Sequence, residues 1–317
     1  MTVAYLKEAT RICQFYIAGN PTQCNTAVRV ATRSGLPLII PSHLRQKLHG
    51  YNKALTFSAM GKVNWKIILA LLGLYRVIKY PGRMKLSTIT DAFSGVKPTV
   101  GVGEIGSIWS RLFAPLVGKP PKGEDDLLPM RSAGPNCKIS MLGAPYDAYV
   151  LASRYPSLLN AFLTVNQYFD SSLSKLLDHE IQHLSHISEV LGSKEEEALG
   201  RKLRIGKLSL KEEPAGKVRV FAIGDVFSQT CLRPIHDHIF SILEKIPQDG
   251  TFNQGRPLEY LVDSLNKRDS GESRTVYSYD LSAATDRVPI AFQVQMMSLL
   301  YNYDVARAWE TIMVDRD

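Results

Sequence analysis

Two carboxylates, Asp280 and Asp286, stand six residues apart around the small-residue stretch Leu281-Ser282-Ala283-Ala284-Thr285. A carboxylate at the end of a strand is a good ligand for a hard cation such as Mg²⁺, which takes oxygen donors and works beside substrate phosphates. A second carboxylate nearby can accept a hydrogen bond from a sugar hydroxyl. The elements needed to place them are written locally. Val276, Ser278 and Asp280 alternate with Tyr277, Tyr279 and Leu281, which predicts a half-buried strand over residues 275–281 that ends on Asp280. Pro289 suits a first helical turn, and an apolar helix follows. The competing reading makes Thr285 or Asp286 a helix cap and Asp280 a surface turn residue.

A second stretch, Lys211-Glu212-Glu213-Pro214-Ala215-Gly216-Lys217-Val218-Arg219-Val220-Phe221, carries cations on a predicted strand. Lys217 and Arg219 alternate with Val218 and Val220, so the two cations share one face and the valines the other. Two fixed cations on one rigid face can grip and orient a triphosphate. The competing reading is an ordinary solvated hairpin face.

The chain has 317 residues, 45% of them hydrophobic, enough for a substantial core and more than one domain or subdomain. Its net charge of +8 is unevenly placed. Residues 1–122 hold 17 Lys and Arg against three acids, whereas residues 123–317 hold 21 against 27. That asymmetry predicts a polyanion partner for the N-terminal part, most simply nucleic acid, with a solvated basic face as the alternative. Four cysteines without metal or scaffold spacing fit a reduced compartment. The longest apolar run, residues 67–75, is far short of a membrane span. Lys7, Glu8 and Arg11 in an amphipathic pattern speak against a secretory leader and predict a folded helix ending at Gly19-Asn20-Pro21, with an organelle presequence as the alternative.

Helical periodicity predicts helices over residues 3–18, 41–48, 63–79, 146–169 with a break near Pro156, 173–191, 226–246, 256–267, 289–301 and 305–314. Strand signals are confined to residues 207–210, 217–223 and 275–281. The fold class is therefore α+β and helix-dominated.

Residues 208–317 resemble the middle of a mitoviral RNA-dependent RNA polymerase, of the narnavirus and levivirus-like group. Four stretches carry the likeness: residues 211–223, Pro234-Ile235-His236-Asp237 with its helix, Ile246-Pro247-Gln248-Asp249-Gly250-Thr251-Phe252-Asn253-Gln254, and residues 280–289. The first is similar to fingertip motif F and the last to palm motif A. Ser34-Gly35-Leu36-Pro37 and Thr88-Ile89-Thr90-Asp91 resemble the family's N-terminal portion more loosely.

The resemblance implies a partial right-hand polymerase: a basic N-terminal region over residues 1–122, a fingers-like region over 123–268 and the start of a palm over 269–317. It implies an RNA template and ribonucleoside triphosphates as partners, Mg²⁺ or Mn²⁺ as cofactor, and residence in the mitochondrion. Asp280 would ligate the metal, Asp286 would sense the 2′-hydroxyl, and Lys217, Arg219 and Lys211 would line the triphosphate path. Residues 249–254 would lie near nucleic acid. The family's motif B (a Ser/Thr-Gly loop) and motif C (Gly-Asp-Asp) do not follow Asp286, so this polypeptide alone is expected to lack polymerase activity unless another chain completes it.

Other patterns compete. His179-Glu180-Ile181-Gln182-His183 on a helix would suit a zinc hydrolase with Glu180 as base, but no third ligand is evident. Gly123-Glu124-Asp125-Asp126 reads as a loop. Gly101-Val102-Gly103-Glu104-Ile105-Gly106 reads as a flexible turn into a helix rather than a dinucleotide site. A non-catalytic RNA-binding remnant of such a polymerase is the remaining alternative.

Overall fold

The computed structural model describes residues 2–19, 28–53, 59–77, 82–92, 102–191, 203–267, 277–279 and 284–316. Two compact units emerge, one of residues 1–85 with 210–221, the other of residues 86–209 with 222–317.

In the first unit, helices α1 (Thr2–Ile17), α2 (Ser42–Lys53) and α3 (Ala59–Leu72) surround one apolar cluster. Helix α1 buries Ala9, Ile12, Cys13 and Tyr16, and α3 buries Trp65, Ile68 and Leu72. Both sets recur at three- and four-residue steps, so each helix turns one stripe inward. Tyr16 joins the three helices: its ring lies 5.8 Å from Trp65, and its hydroxyl is 2.7 Å from Nδ1 of His49.

The second unit opens with α4 (Ser87–Thr90) and α5 (Val102–Leu112). Helices α6 (Ala144–Arg154), α7 (Pro156–Tyr168) and α8 (Leu173–Leu191) follow. Strands β1 (Gly206–Glu213) and β2 (Lys217–Gly224) form a two-stranded sheet whose outer part belongs to the first unit. Then come α9 (Val226–Leu243), α10 (Arg256–Asn266), the single turn α11 (Ala284–Arg287), α12 (Ile290–Leu300) and α13 (Tyr303–Val314). Pro156 breaks α6 from α7 where the sequence places the break, because the residue before a proline resists the helical conformation.

The core of this unit is α13 against α7. Leu158, Ala161, Phe162 and Val165 face Val305, Ala308 and Ile312, with Phe227 of α9 fully buried beside them. Each such large side chain contributes about 1.5–3 kcal/mol on burial. Asn302 caps α13 by accepting the Val305 N–H at 2.8 Å.

Residues 277–279, the described part of the strand expected over 275–281, depart from that expectation. Tyr277, Ser278 and Tyr279 belong to no strand and are all exposed, Tyr279 at 84%. Period-2 patterning yields a half-buried strand only where a neighbour accepts the ladder and covers one face, and the described residues supply none. The two tyrosine rings stack on each other instead. Gly103 and Gly106 also differ from expectation, standing inside α5 rather than in a turn before it.

Candidate functional site

The β1–β2 hairpin carries the predicted cations. Its tip is Pro214-Ala215-Gly216, with Ala215 and Gly216 both at φ 66°. Glycine meets that demand without strain, whereas alanine there is held by its surroundings. Gly82 packs so closely on Gly216 that a β-carbon at position 82 would collide with the Gly216 carbonyl. The turn is thus backed by main chain.

Beyond the turn, Lys217 and Arg219 are exposed while Val218 and Val220 are half-buried, the alternation that the sequence predicts. Lys211 on β1 is exposed as well. Arg219 Nε lies 2.8 Å from Glu213 Oε1, so its charge is partly answered across the tip. Lys217 makes no ion pair among the described residues. One cation is held in place and the other projects into solvent.

The other legs of the hairpin enter a buried polar network that the sequence reading missed. Asp225, fully buried, caps α9 by accepting the Ser228 N–H at 2.7 Å. Asp147 of α6, 1% exposed, accepts the Val226 N–H at 3.0 Å and the Asn136 amide at 2.8 Å. Burial, reinforced by the nearby Asp225 charge, pushes the Asp147 carboxyl up to about 7. Asp225 followed three residues on by Ser228 is a legible cap signal; its long-range partners are not.

Asp280 lies outside the described residues, and so does the side chain of Asp286, which stands in turn α11. The neighbouring Arg287 is well placed. Its guanidinium donates to the carbonyls of Ser87 (2.9 Å), Asp91 (2.8 Å) and Ala92 (3.1 Å). Asp91 and Ala92 follow the last turn of α4 and receive donors from Arg287, while the Ser87 carbonyl, which already accepts the Asp91 N–H, gains a second. Two stretches that look unrelated in sequence, residues 88–91 and 280–289, are therefore tied by one side chain. Among the described residues, no group of three or more His, Cys, Asp or Glu could hold a metal ion.

The stretch after α9 is ordered by its own side chains. Asp249 accepts the Thr251 N–H and Asn253 the Gly255 N–H, two Asx turns in succession. Phe252, 56% exposed, meets Phe240 edge-on, and His236 stacks on Phe240 at 4.1 Å.

Two competing motifs find structural roles. Asp125 accepts from Lys122 Nζ at 2.7 Å and from both the N–H and hydroxyl of Ser172, just before α8. Those donors hold its carboxyl at about 2. Gly123 sits where a β-carbon would strike Ser171. The loop reading of residues 123–126 agrees with this geometry. His179 and Glu180 do lie on a continuous helix, α8, while the His183 side chain is outside the described residues.

Comparison with known proteins places these elements in a family. Residues 121–317 match the family model described as mitovirus RNA-dependent RNA polymerase. An RNA-directed RNA polymerase of Cryphonectria parasitica mitovirus 1 is 28% identical over 314 residues, 98% of this chain and 37% of that relative. The chain thus spans little more than a third of the relative's length. Two uncharacterized mitochondrial proteins of Arabidopsis thaliana match shorter parts, at 42% identity over 66 residues (21% of this chain, 24% of the relative) and 39% over 62 (20% and 26%). No solved structure matches. The His179–His183 segment falls inside the polymerase match, and nothing supports the zinc-hydrolase reading. The match over residues 121–317, more than half of its length, makes this chain a member of the mitovirus RNA-dependent RNA polymerase family.

Proposed function

We propose that this chain supplies the nucleotide-gripping fingers and the first part of the palm of a template-directed RNA polymerase. In this reading, residues 1–122 are a basic N-terminal region, residues 123–268 the fingers and residues 269–317 the opening of a right-hand palm. The observation that carries it is the pairing of Lys217 with Arg219 on the exposed face of a hairpin whose turn is braced from behind. Rigid, pre-positioned donors stabilise the charge that moves along a triphosphate without reorganising during reaction.

Within that assignment, Lys217 meets the phosphates as a mobile point charge and Arg219 as a fixed, planar donor oriented by Glu213. Lys211 adds a third cation on the neighbouring strand. Asp286 accepts from the ribose 2′-hydroxyl. Asp280 would hold the divalent metal ion, Mg²⁺ or Mn²⁺, whose chemistry would be to activate the attacking oxygen and steady the leaving pyrophosphate. RNA is the template, and the mitochondrion is the compartment that the relatives suggest.

The test is a titration of purified chain with fluorescently labelled GTP. Wild type should bind, and a double Lys217→Ala, Arg219→Ala variant should bind about tenfold more weakly, two exposed charge-assisted contacts being lost. Equal affinity in both would remove the triphosphate role.

A second reading draws on the charge asymmetry of residues 1–122: a non-catalytic RNA-binding remnant. It predicts salt-sensitive RNA binding that the same double substitution leaves untouched.

A further inference from the structure

We propose that the second unit holds a binding site for an amphipathic anion, an aliphatic chain ending in a carboxylate or a phosphate. This goes beyond the triphosphate reading and does not rest on it.

The site is a cavity of about 1130 Å³ beside the residues where the chain enters β1 and leaves β2, and every residue described in its lining belongs to the second unit. That volume stands at the upper end of small-molecule sites, which run to roughly 1000 Å³. Val150 of α6, Leu232 of α9 and Ile312 of α13 contribute to its walls, together with Leu203 and Ile205 ahead of β1. Val150, Leu203, Ile205 and Ile312 are buried in the core of the unit, so packing fixes this part of the wall. Leu208 and Met313 line the same cavity but are 62% and 49% exposed, apolar surface that a ligand chain would cover.

The charge on the lining has one sign. Arg154, Arg204, Lys207 and Arg316 border the cavity, and among the described residues no Asp or Glu does. Arg316 is answered by the buried Asp225 at 3.0 Å. Arg204 and Lys207 make no ion pair among the described residues. The main chain beneath Arg204 is held on both sides by Asn136, which accepts its N–H at 2.9 Å and donates to its carbonyl at 2.8 Å. Arg154 donates to the Leu203 carbonyl at 3.0 Å, which sets its guanidinium against the wall.

The wall selects the ligand. A nucleobase needs aromatic faces to stack on, and Tyr155 is the one aromatic side chain described in the lining. Branched aliphatic side chains surround the cavity instead, and they suit a methylene chain. Cations bordering it, with no acid among them, suit an anionic head, because charge-assisted bonds are the strong ones. Charge and apolar surface therefore ask for one molecule that carries both.

The experiment titrates the whole chain with dansylundecanoate, whose emission rises in apolar surroundings, and displaces it with unlabelled competitors. Decanoate or decyl phosphate should displace it, and the stronger of the two names the head group. From octanoate to dodecanoate each added methylene should tighten binding by about two- to fourfold. Decanol, the same chain without charge, should compete about tenfold more weakly. A double Arg204→Ala, Lys207→Ala variant should bind the probe about tenfold more weakly, and Leu208→Glu, which puts an acid in the wall, should weaken it as well. Should Leu208→Glu fail to fold, the double variant decides. No saturable binding, equal competition by decanol, or unchanged affinity in the double variant contradicts the proposal. Displacement by GTP as effective as by decanoate would make the cavity a nucleotide site and contradicts it too.

Discussion

Arg219 Nε sits 2.8 Å from Glu213 Oε1 across the tip of the hairpin, so one of the two candidate phosphate cations is already compensated by the chain itself. The pair is largely solvated, with Arg219 59% exposed, and so adds little to stability. Its consequence is for binding. Glu213→Gln removes the negative charge but leaves an amide oxygen to orient the guanidinium, so it should tighten GTP by about two- to fivefold, read by titration at low salt. Lys217→Ala should weaken it more than Arg219→Ala does.

Asp147 predicts an unusual pH dependence. Its folded carboxyl keeps a proton up to about 7, while the unfolded one releases it near 3.8. Between those values the folded state holds more protons, so this group's contribution to stability falls as pH rises and levels off above 7. The decline is at most about 1.4 kcal/mol per pH unit. Urea midpoints measured from pH 5 to 8 should fall accordingly, and Asp147→Asn should flatten the profile. Asp125 acts in the opposite sense, since its depressed carboxyl favours the fold above 3.8 and loses that effect towards pH 2.

Asp225 combines a helix cap with a buried ion pair. Replacing it with alanine strands the Ser228 N–H and removes the carboxylate from Arg316, which keeps the Ser228 hydroxyl and the Ile205 and Ile312 carbonyls as acceptors. The loss should be about 2–4 kcal/mol in chemical denaturation. Asp225→Asn, whose amide oxygen still caps α9, should cost less.

Arg287→Ala tests the link between turn α11 and α4. The Asp91 and Ala92 carbonyls lose the Arg287 donor, while Ser87 keeps the Asp91 N–H. Because the contact is at the surface, global stability should change by only about 1 kcal/mol, but amide exchange should accelerate locally around α4 and α11. Unchanged exchange there would show the contact to be dispensable.

The helices were legible because their cores are local patterns. Residues 173–191 are one helix in both sequence and structure, and the stripe Leu158, Ala161, Phe162, Val165 announces the buried face of α7. The hairpin was legible too, since Pro214, Gly216 and the valine alternation act over a few residues. The buried ion pair was not. Arg316 and Asp225 are 91 residues apart, and no spacing rule joins an arginine beyond a helix end to a cap on another helix. Arg287 was missed for the same reason, its acceptors being main-chain groups almost 200 residues away. At residues 277–279, the described part of the strand expected over 275–281, the failure runs in the other direction: alternation was present, but a strand needs neighbours that local sequence cannot supply.

The most direct measurement is phosphate-end mapping with GTP carrying a photoreactive azidoanilide on its γ-phosphate. Cross-linking to the whole chain followed by peptide analysis should label residues 211–219, and excess unmodified GTP should suppress that label. Label confined to the helices of the second unit, with residues 211–219 unmodified, would contradict the account.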